Sequence, residues 1–147
     1  MMMRVSMTII LTLLLLIIAG PAISGEMAKE GSASLTTYFT DTFQVLAQGQ
    51  DYIQINYDAR GVNSTDDESS PYYGSSSQCV GSLKIIKGKF EEFGLCTATR
   101  SDKDKVFMSY EGTGGGGMAK GTFTLVGGTG KCEGLTGSGE WLSLIHI

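Results

Sequence analysis

The sequence predicts an all-β protein, an antiparallel β-barrel of about eight strands when intact. Three observations carry that expectation. Apolar and polar residues alternate with a period of two in several short runs. Glycine-rich turns punctuate those runs at short intervals. No window after residue 31 carries a helical stripe of useful length. With 147 residues the chain has room for one ordinary domain.

Residues 1–24 read as a secretory signal. Arg4 supplies a positive start, and an apolar run from Ile9 to Ala19 is broken only by Thr12. Gly20-Pro21 stops the run, and Ala22-Ile23-Ser24 has the small-x-small pattern that signal peptidase cuts. A membrane anchor needs about 18 apolar residues, more than this run provides. Loss of Arg4 from 11 basic residues leaves 10 against 15 acidic, a net charge of −5. That balance speaks against nucleic acid, which demands a basic footprint. It also gives no reason to expect an anionic membrane surface as partner, and no membrane span is expected once the signal is removed. Export implies an oxidising compartment in which disulfides persist.

A flexible segment, 25–34, leads into the barrel domain, 35–141. Phe39, Phe43 and Val45 mark a first strand from about Leu35 to Ala47, closed by the turn Gln48-Gly49-Gln50-Asp51. Ile53, Ile55 and Tyr57 alternate with Gln54, Asn56 and Asp58 in a second. Ala59 to Ser77 reads as a long polar connection, disordered, holding Asp66-Asp67-Glu68 and Pro71-Tyr72-Tyr73-Gly74. Beyond it lie a hairpin about Lys87-Gly88, a turn at Ser101-Asp102-Lys103-Asp104, and a strand carrying Val106, Met108 and Tyr110. Gly112–Gly117 and Gly127-Gly128-Thr129-Gly130 bracket the Phe123–Leu125 strand. About seven strands precede Trp141.

The last six residues, Leu142-Ser143-Leu144-Ile145-His146-Ile147, resemble the conceptual translation of a transposon end used in preparing sequencing libraries. That resemblance implies a non-native tail, a foreign origin for the single histidine, His146, and at least one missing strand. A barrel protects its edges only when closed, so poor solubility is expected of the chain as written.

The hairpin register predicts a disulfide. If Lys87-Gly88 is a two-residue turn, Ile86 faces Lys89, Ile85 faces Phe90 and Cys79 faces Cys96. Alternation from the turn makes Cys79–Cys96 a non-hydrogen-bonded pair with Cα atoms about 4.5 Å apart, at the near edge of disulfide geometry. A loop of about 17 residues gives at most roughly 3 kcal/mol, and less here because the hairpin already closes it. Cys132 is left over and reads as a small buried apolar residue, with no histidine or evident base beside it.

Several patterns point to chemistry and fall short of it. Gly127-Gly128-Thr129-Gly130-Lys131-Cys132 has Leu125 and Cys132 where a phosphate loop needs Gly and Ser or Thr, and no helix follows. Asp102 and Asp104 lack the closing Glu of a calcium loop and read as a solvated turn. Asn63-Ser64-Thr65 is a glycosylation sequon, meaningful in a eukaryotic host. Glu91 and Glu92 point to opposite faces of a strand and form no acid–base pair by themselves. Neither a metal site nor a cofactor motif is expected, and the residues suggest no catalytic set.

Lys120-Gly121-Thr122-Phe123-Thr124, Val126 to Lys131 and Gly134-Leu135-Thr136-Gly137-Ser138-Gly139-Glu140 together resemble small exported bacterial barrels of the allene oxide cyclase and dirigent-like, calycin-like group. Asp104 to Glu111 and the Gln78–Leu83 strand paired with the Cys96 strand are similar too, so the resemblance spans Leu35 to Trp141. It implies a closed barrel in which a GGTG turn joins two neighbouring strands. Cys132 departs from the Phe or Tyr usual after Gly-Lys, which implies a cavity or reduced stability there. None of the cyclases' polar catalytic residues maps onto this chain, so no active site carries over.

Three functions fit these readings. The first is an exported, non-enzymatic barrel that binds a small apolar molecule inside, with Tyr57, Met108, Tyr110 and Phe123 lining the lumen on strand parity. The second, implied by the resemblance, is a cofactor-free isomerase or a dirigent-like coupling guide. An ionisable group buried beside Tyr57 or Tyr110 would favour it. The third is an interaction or inhibitor module using the Pro71-Tyr72-Tyr73 loop.

Overall fold

A computed structural model describes residues 30–144. The signal segment, the start of the 25–34 segment and the end of the tail with His146 lie outside the described residues.

Seven strands follow one another in the chain and in the sheet: β1 (Thr36–Ala47), β2 (Tyr52–Ser64), β3 (Ser76–Ile86), β4 (Lys89–Thr99), β5 (Lys105–Gly115), β6 (Met118–Gly128) and β7 (Gly137–Leu144). All pairings are antiparallel. The only other regular element is a short 3-10 helix, Gly130–Cys132, among the described residues. Among the described residues β1 and β7 are the two edges, and the sheet is not closed into a barrel.

The β3–β4 hairpin has the register read from the sequence. Ile86 pairs with Lys89, Ile85 with Phe90 and Cys79 with Cys96. Lys87 and Gly88 both take positive φ, 51° and 75°, as a two-residue turn matched to strand twist requires. Cys79 and Cys96 are disulfide-bonded across the inner face, with Cα atoms 4.0 Å apart.

The connection between β2 and β3 differs from the expectation. β2 runs on to Ser64 and β3 begins at Ser76, so the loop is shorter than Ala59–Ser77, and it is tightly folded. Ala59, Gly61 and Asn63 face inward and Arg60, Val62 and Ser64 outward. Small and polar inward residues conceal the alternation that marks a strand. The loop is held by its own turns: Ser70 N donates to the Asp67 carbonyl at 3.1 Å and Ser75 N to the Tyr72 carbonyl at 3.2 Å. Arg100 reaches across to the Ser70 carbonyl at 3.1 Å.

A bulge interrupts β6. Met108 pairs with Leu125 but Phe107 with Gly127, which leaves Val126 unpaired. Bulges sharpen local twist, and this one lies where the chain turns into the 3-10 helix. Curling is evident at that end of the sheet. Leu35, just before β1, and Leu135, just before β7, both pack against the buried group Tyr72, Ala98, Val106 and Cys132. Trp141 and Ile55 pack against a second group, Leu83, Phe90 and Ala119.

Register places one row of side chains straight across the inner face: Phe43, Tyr57, Gly81, Gly94, Tyr110, Phe123 and Gly139. The next row reads Val45, Ile55, Leu83, Glu92, Gly112, Gly121 and Trp141. Rings and glycines alternate in blocks because the rings lie flat over the glycines. A Cβ on Gly81 would sit 2.7 Å from Tyr57 Cζ, and one on Gly94 2.6 Å from Tyr110 Cζ. Trp141 covers Gly112 and Gly121 in the same way. The face is thus paved with aromatic surface at a depth that side chains on those glycines would prevent.

Candidate functional site

The paved floor carries one polar cluster. Tyr57 on β2 and Tyr110 on β5 approach from opposite sides across Gly81 and Gly94, and their hydroxyls meet in a short hydrogen bond. Tyr57 also donates to Glu92 Oε2 at 3.1 Å. Two phenols and a carboxylate form a chain in which Tyr110 donates to Tyr57 and Tyr57 to Glu92. The Trp141 ring stands edge-on to Tyr110, with centroids 6.3 Å apart.

Burial sets the electrostatics of this cluster. Glu92 is half-buried, and desolvation holds its carboxyl above the usual range, partly offset by the Tyr57 hydrogen bond. Tyr57 is shifted further upward by burial, then by its bond to Tyr110 and by the Glu92 charge. Tyr110 is pushed up to about 12 by burial, with the charges of Glu92 and Asp41 adding to the effect and the Tyr57 bond opposing it. Asp41, on β1, is raised by partial burial. Both phenols therefore stay protonated at neutral pH and act as donors. Glu92 is the acidic end of this hydrogen-bonded chain.

Tyr57, Met108, Tyr110 and Phe123 all occupy inner-face positions. Tyr57, Tyr110 and Phe123 share the central row. Met108 stands one row away, opposite Cys96, and packs against the buried group that includes Val106 and Cys132. Sequence reasoning assigns no role to Asp41 or Trp141, and it names Glu92 only beside Glu91, without placing it at the site. The same register that paired the cysteines contains the signal for Glu92, since it has the parity of Phe90 and Cys96 and stands opposite Leu83.

Several other sequence features have structural duties. The Gly127–Lys131 loop is tied to the β4–β5 turn: Lys131 N donates to Asp104 Oδ2 at 2.8 Å and Lys131 Nζ to Asp102 Oδ2 at 3.1 Å. Asp102 and Asp104 thus lie in an exposed turn, as read from the sequence, and also anchor a neighbouring loop. Gly130 takes φ 57° against the Asp104 carboxylate, a place with no room for a side chain. Cys132 is fully buried beside Tyr72 and Val106, and burial raises its thiol pKa. Asn63 spends its amide on Ser75 Oγ at 2.7 Å and Ser77 Oγ at 2.9 Å, which engages the sequon nitrogen within the fold. Tyr72 is turned inward and buried, so of the loop's two tyrosines only Tyr73 is exposed.

Comparison with protein-family models, curated proteins and solved structures finds no match to this chain. Among the described residues no helix is long and apolar enough to cross a membrane, which leaves strand-spanning proteins unaddressed.

Proposed function

We propose that this chain is an exported barrel-type protein whose inner face holds a small, largely apolar molecule, and that the seven strands are the wall of a barrel completed by an eighth. The observation that carries the reading is the paved inner face with a single polar cluster at its centre. Rings supply a flat apolar bed, and Tyr57, Tyr110 and Glu92 offer the few directional contacts that orient a ligand. The disulfide supports an oxidising destination. The exposed inner side chains of β1, Phe43 and Val45 at 59% and 62%, support an inner face that is open to an occupant and to a closing strand.

Native mass spectrometry of the purified, oxidised chain tests it. The expected result is a co-purified small molecule, or uptake of an apolar dye that Tyr110→Ala weakens. A chain that carries nothing and takes up no dye would defeat the reading.

A second reading is a cofactor-free isomerase or dirigent-like guide. The half-buried Glu92 beside Tyr57 favours it, because a carboxyl with a raised pKa at the end of a phenol chain can exchange a proton with a bound molecule. Conversion of a bound compound that is lost in Glu92→Gln while binding persists would establish it.

A further inference from the structure

The outer face of the sheet carries an apolar patch at its middle. Val80, Phe93 and Leu95 are exposed there to 55%, 65% and 65%. They occupy two adjacent outward rows of the β3–β4 pair, Val80 opposite Leu95 and Ser82 opposite Phe93. An open hollow of about 640 Å³ lies between these rows, with Gly81 and Gly94 at its floor and Asn56 and Ser109 at its sides. Single exposed apolar residues are ordinary on a protein surface, but a contiguous group marks a contact surface.

Among the described residues nothing covers this patch. β3 and β4 are each paired on both sides, so neither is an edge. A strand closing the barrel would pair with β1 and β7 and leave the patch open. The polar side chains beside it already bond one another: Ser82 Oγ donates to Asn56 Oδ1 at 2.6 Å and Gln78 Nε2 to Asp58 Oδ1 at 3.0 Å. What remains to be matched is apolar surface.

Lys84 and Glu91 point to the occupant. They face each other in the β3–β4 register, two residues beyond Ser82 and Phe93, and both are exposed, yet they form no ion pair with each other. A second copy can be placed over the patch by a two-fold axis that runs parallel to the strands, midway between β3 and β4. The β4 of each copy then covers the β3 of the other. Leu95 meets Val80, bulky Phe93 stands over small Ser82, and Lys84 stands over Glu91, each contact made twice as an isologous interface requires. A two-fold axis across the strands would instead set Lys84 against Gln78 and Glu91 against Thr97, and pair no charges. Charge complementarity selects the first arrangement, an aligned packing of two sheets.

We propose that the chain forms a symmetric dimer, sheet on sheet, through the outer face of β3 and β4, with Val80, Phe93 and Leu95 at its centre and Lys84 of each copy paired to Glu91 of the other. The dimer leaves the opposite face, with Tyr57, Tyr110 and Glu92, free and stands apart from the ligand reading.

Sedimentation of the oxidised chain at concentrations from about 1 μM to about 1 mM tests it. The expected result is a reversible monomer–dimer equilibrium with a Kd of about tens of micromolar, weak because the patch is small. Phe93→Ser removes two rings per dimer and should weaken association by about a hundredfold. Lys84→Glu sets like charges together and should weaken it by about tenfold, and the double variant Lys84→Glu/Glu91→Lys should restore it. Retention of the Cys79–Cys96 bridge and of the fluorescence of Trp141, the single tryptophan, shows that each variant is folded. A chain that stays monomeric at about 1 mM would overturn the proposal. So would oligomers insensitive to Phe93→Ser, which would place the association at the open edges β1 and β7, or a double variant that associates no better than Lys84→Glu.

Discussion

Two regions of one sheet face use the same materials to opposite ends. At the end where β4 meets β5, Tyr72, Ala98, Val106 and Cys132 are closed over by the β2–β3 loop and the 3-10 helix, and all four are buried. At the centre, Tyr57, Tyr110 and Glu92 lie half-exposed on a floor of glycine backbone. Both regions use tyrosine. Tyr72 buries its hydroxyl without a hydrogen-bond partner among the described residues, whereas the hydroxyls of Tyr57 and Tyr110 are engaged. The first tyrosine fills space and the other two organise polarity. The sealed end is closely packed, whereas the polar groups at the centre stay partly exposed.

The contrast can be broken by substitution. The largest effect is expected from Tyr72→Ala, which leaves a large void under the loop and should cost about 3–5 kcal/mol in urea unfolding. A cost below about 1 kcal/mol would show that the loop is not a plug. Gly81→Ala comes next. Its Cβ would force Tyr57 and Tyr110 off the floor, at a cost of about 1–3 kcal/mol, with their aromatic NMR signals displaced. The comparison sharpens with two substitutions that each delete one oxygen. Tyr72→Phe removes an unsatisfied hydroxyl and should stabilise by about 1 kcal/mol, while Tyr57→Phe removes a bonded one and should destabilise by about the same amount. Shifts of the same sign in both would dissolve the distinction between the regions.

The smallest effect concerns pH. The Glu92 pKa is raised in the folded state above its ordinary value of 4.5. Between those two values the native state binds more protons than the unfolded one, so this residue's share of stability falls as pH rises through the folded pKa. Asp58, Asp67 and Asp102 have lowered pKa values, held down chiefly by hydrogen bonds from Gln78, Ser69 and Lys131, and act in the opposite direction. The difference between wild type and Glu92→Gln isolates the Glu92 contribution. The variant's stability relative to wild type should increase from pH 4 toward neutrality. A flat difference would mean that Glu92 is not desolvated.

Much of this architecture is legible in the sequence. The Lys87-Gly88 turn determined a register, the register paired Cys79 with Cys96, and alternation in β2, β5 and β6 gave strands with assignable faces. Closure was not legible in the same way, because alternation specifies which way a side chain points but not how far a sheet curls. The second half of β2 was hidden because its inward positions are Ala59, Gly61 and Asn63 and contribute little hydrophobic signal. Glu92 is legible only in part: beside Glu91 it forms no acid–base pair, and its inward direction follows from its parity with Cys96. Tyr72, a buried anchor within a polar loop, has no periodic signature at all.

The strand order carries a consequence for how the chain acquires its form. Each strand pairs only with its sequence neighbours, so the molecule can assemble by successive local hairpins without first bringing distant segments together. The cross-link lies within the single hairpin β3–β4, and its oxidation needs only that hairpin to have formed. The sulfur bond therefore requires no contact with the flanking strands.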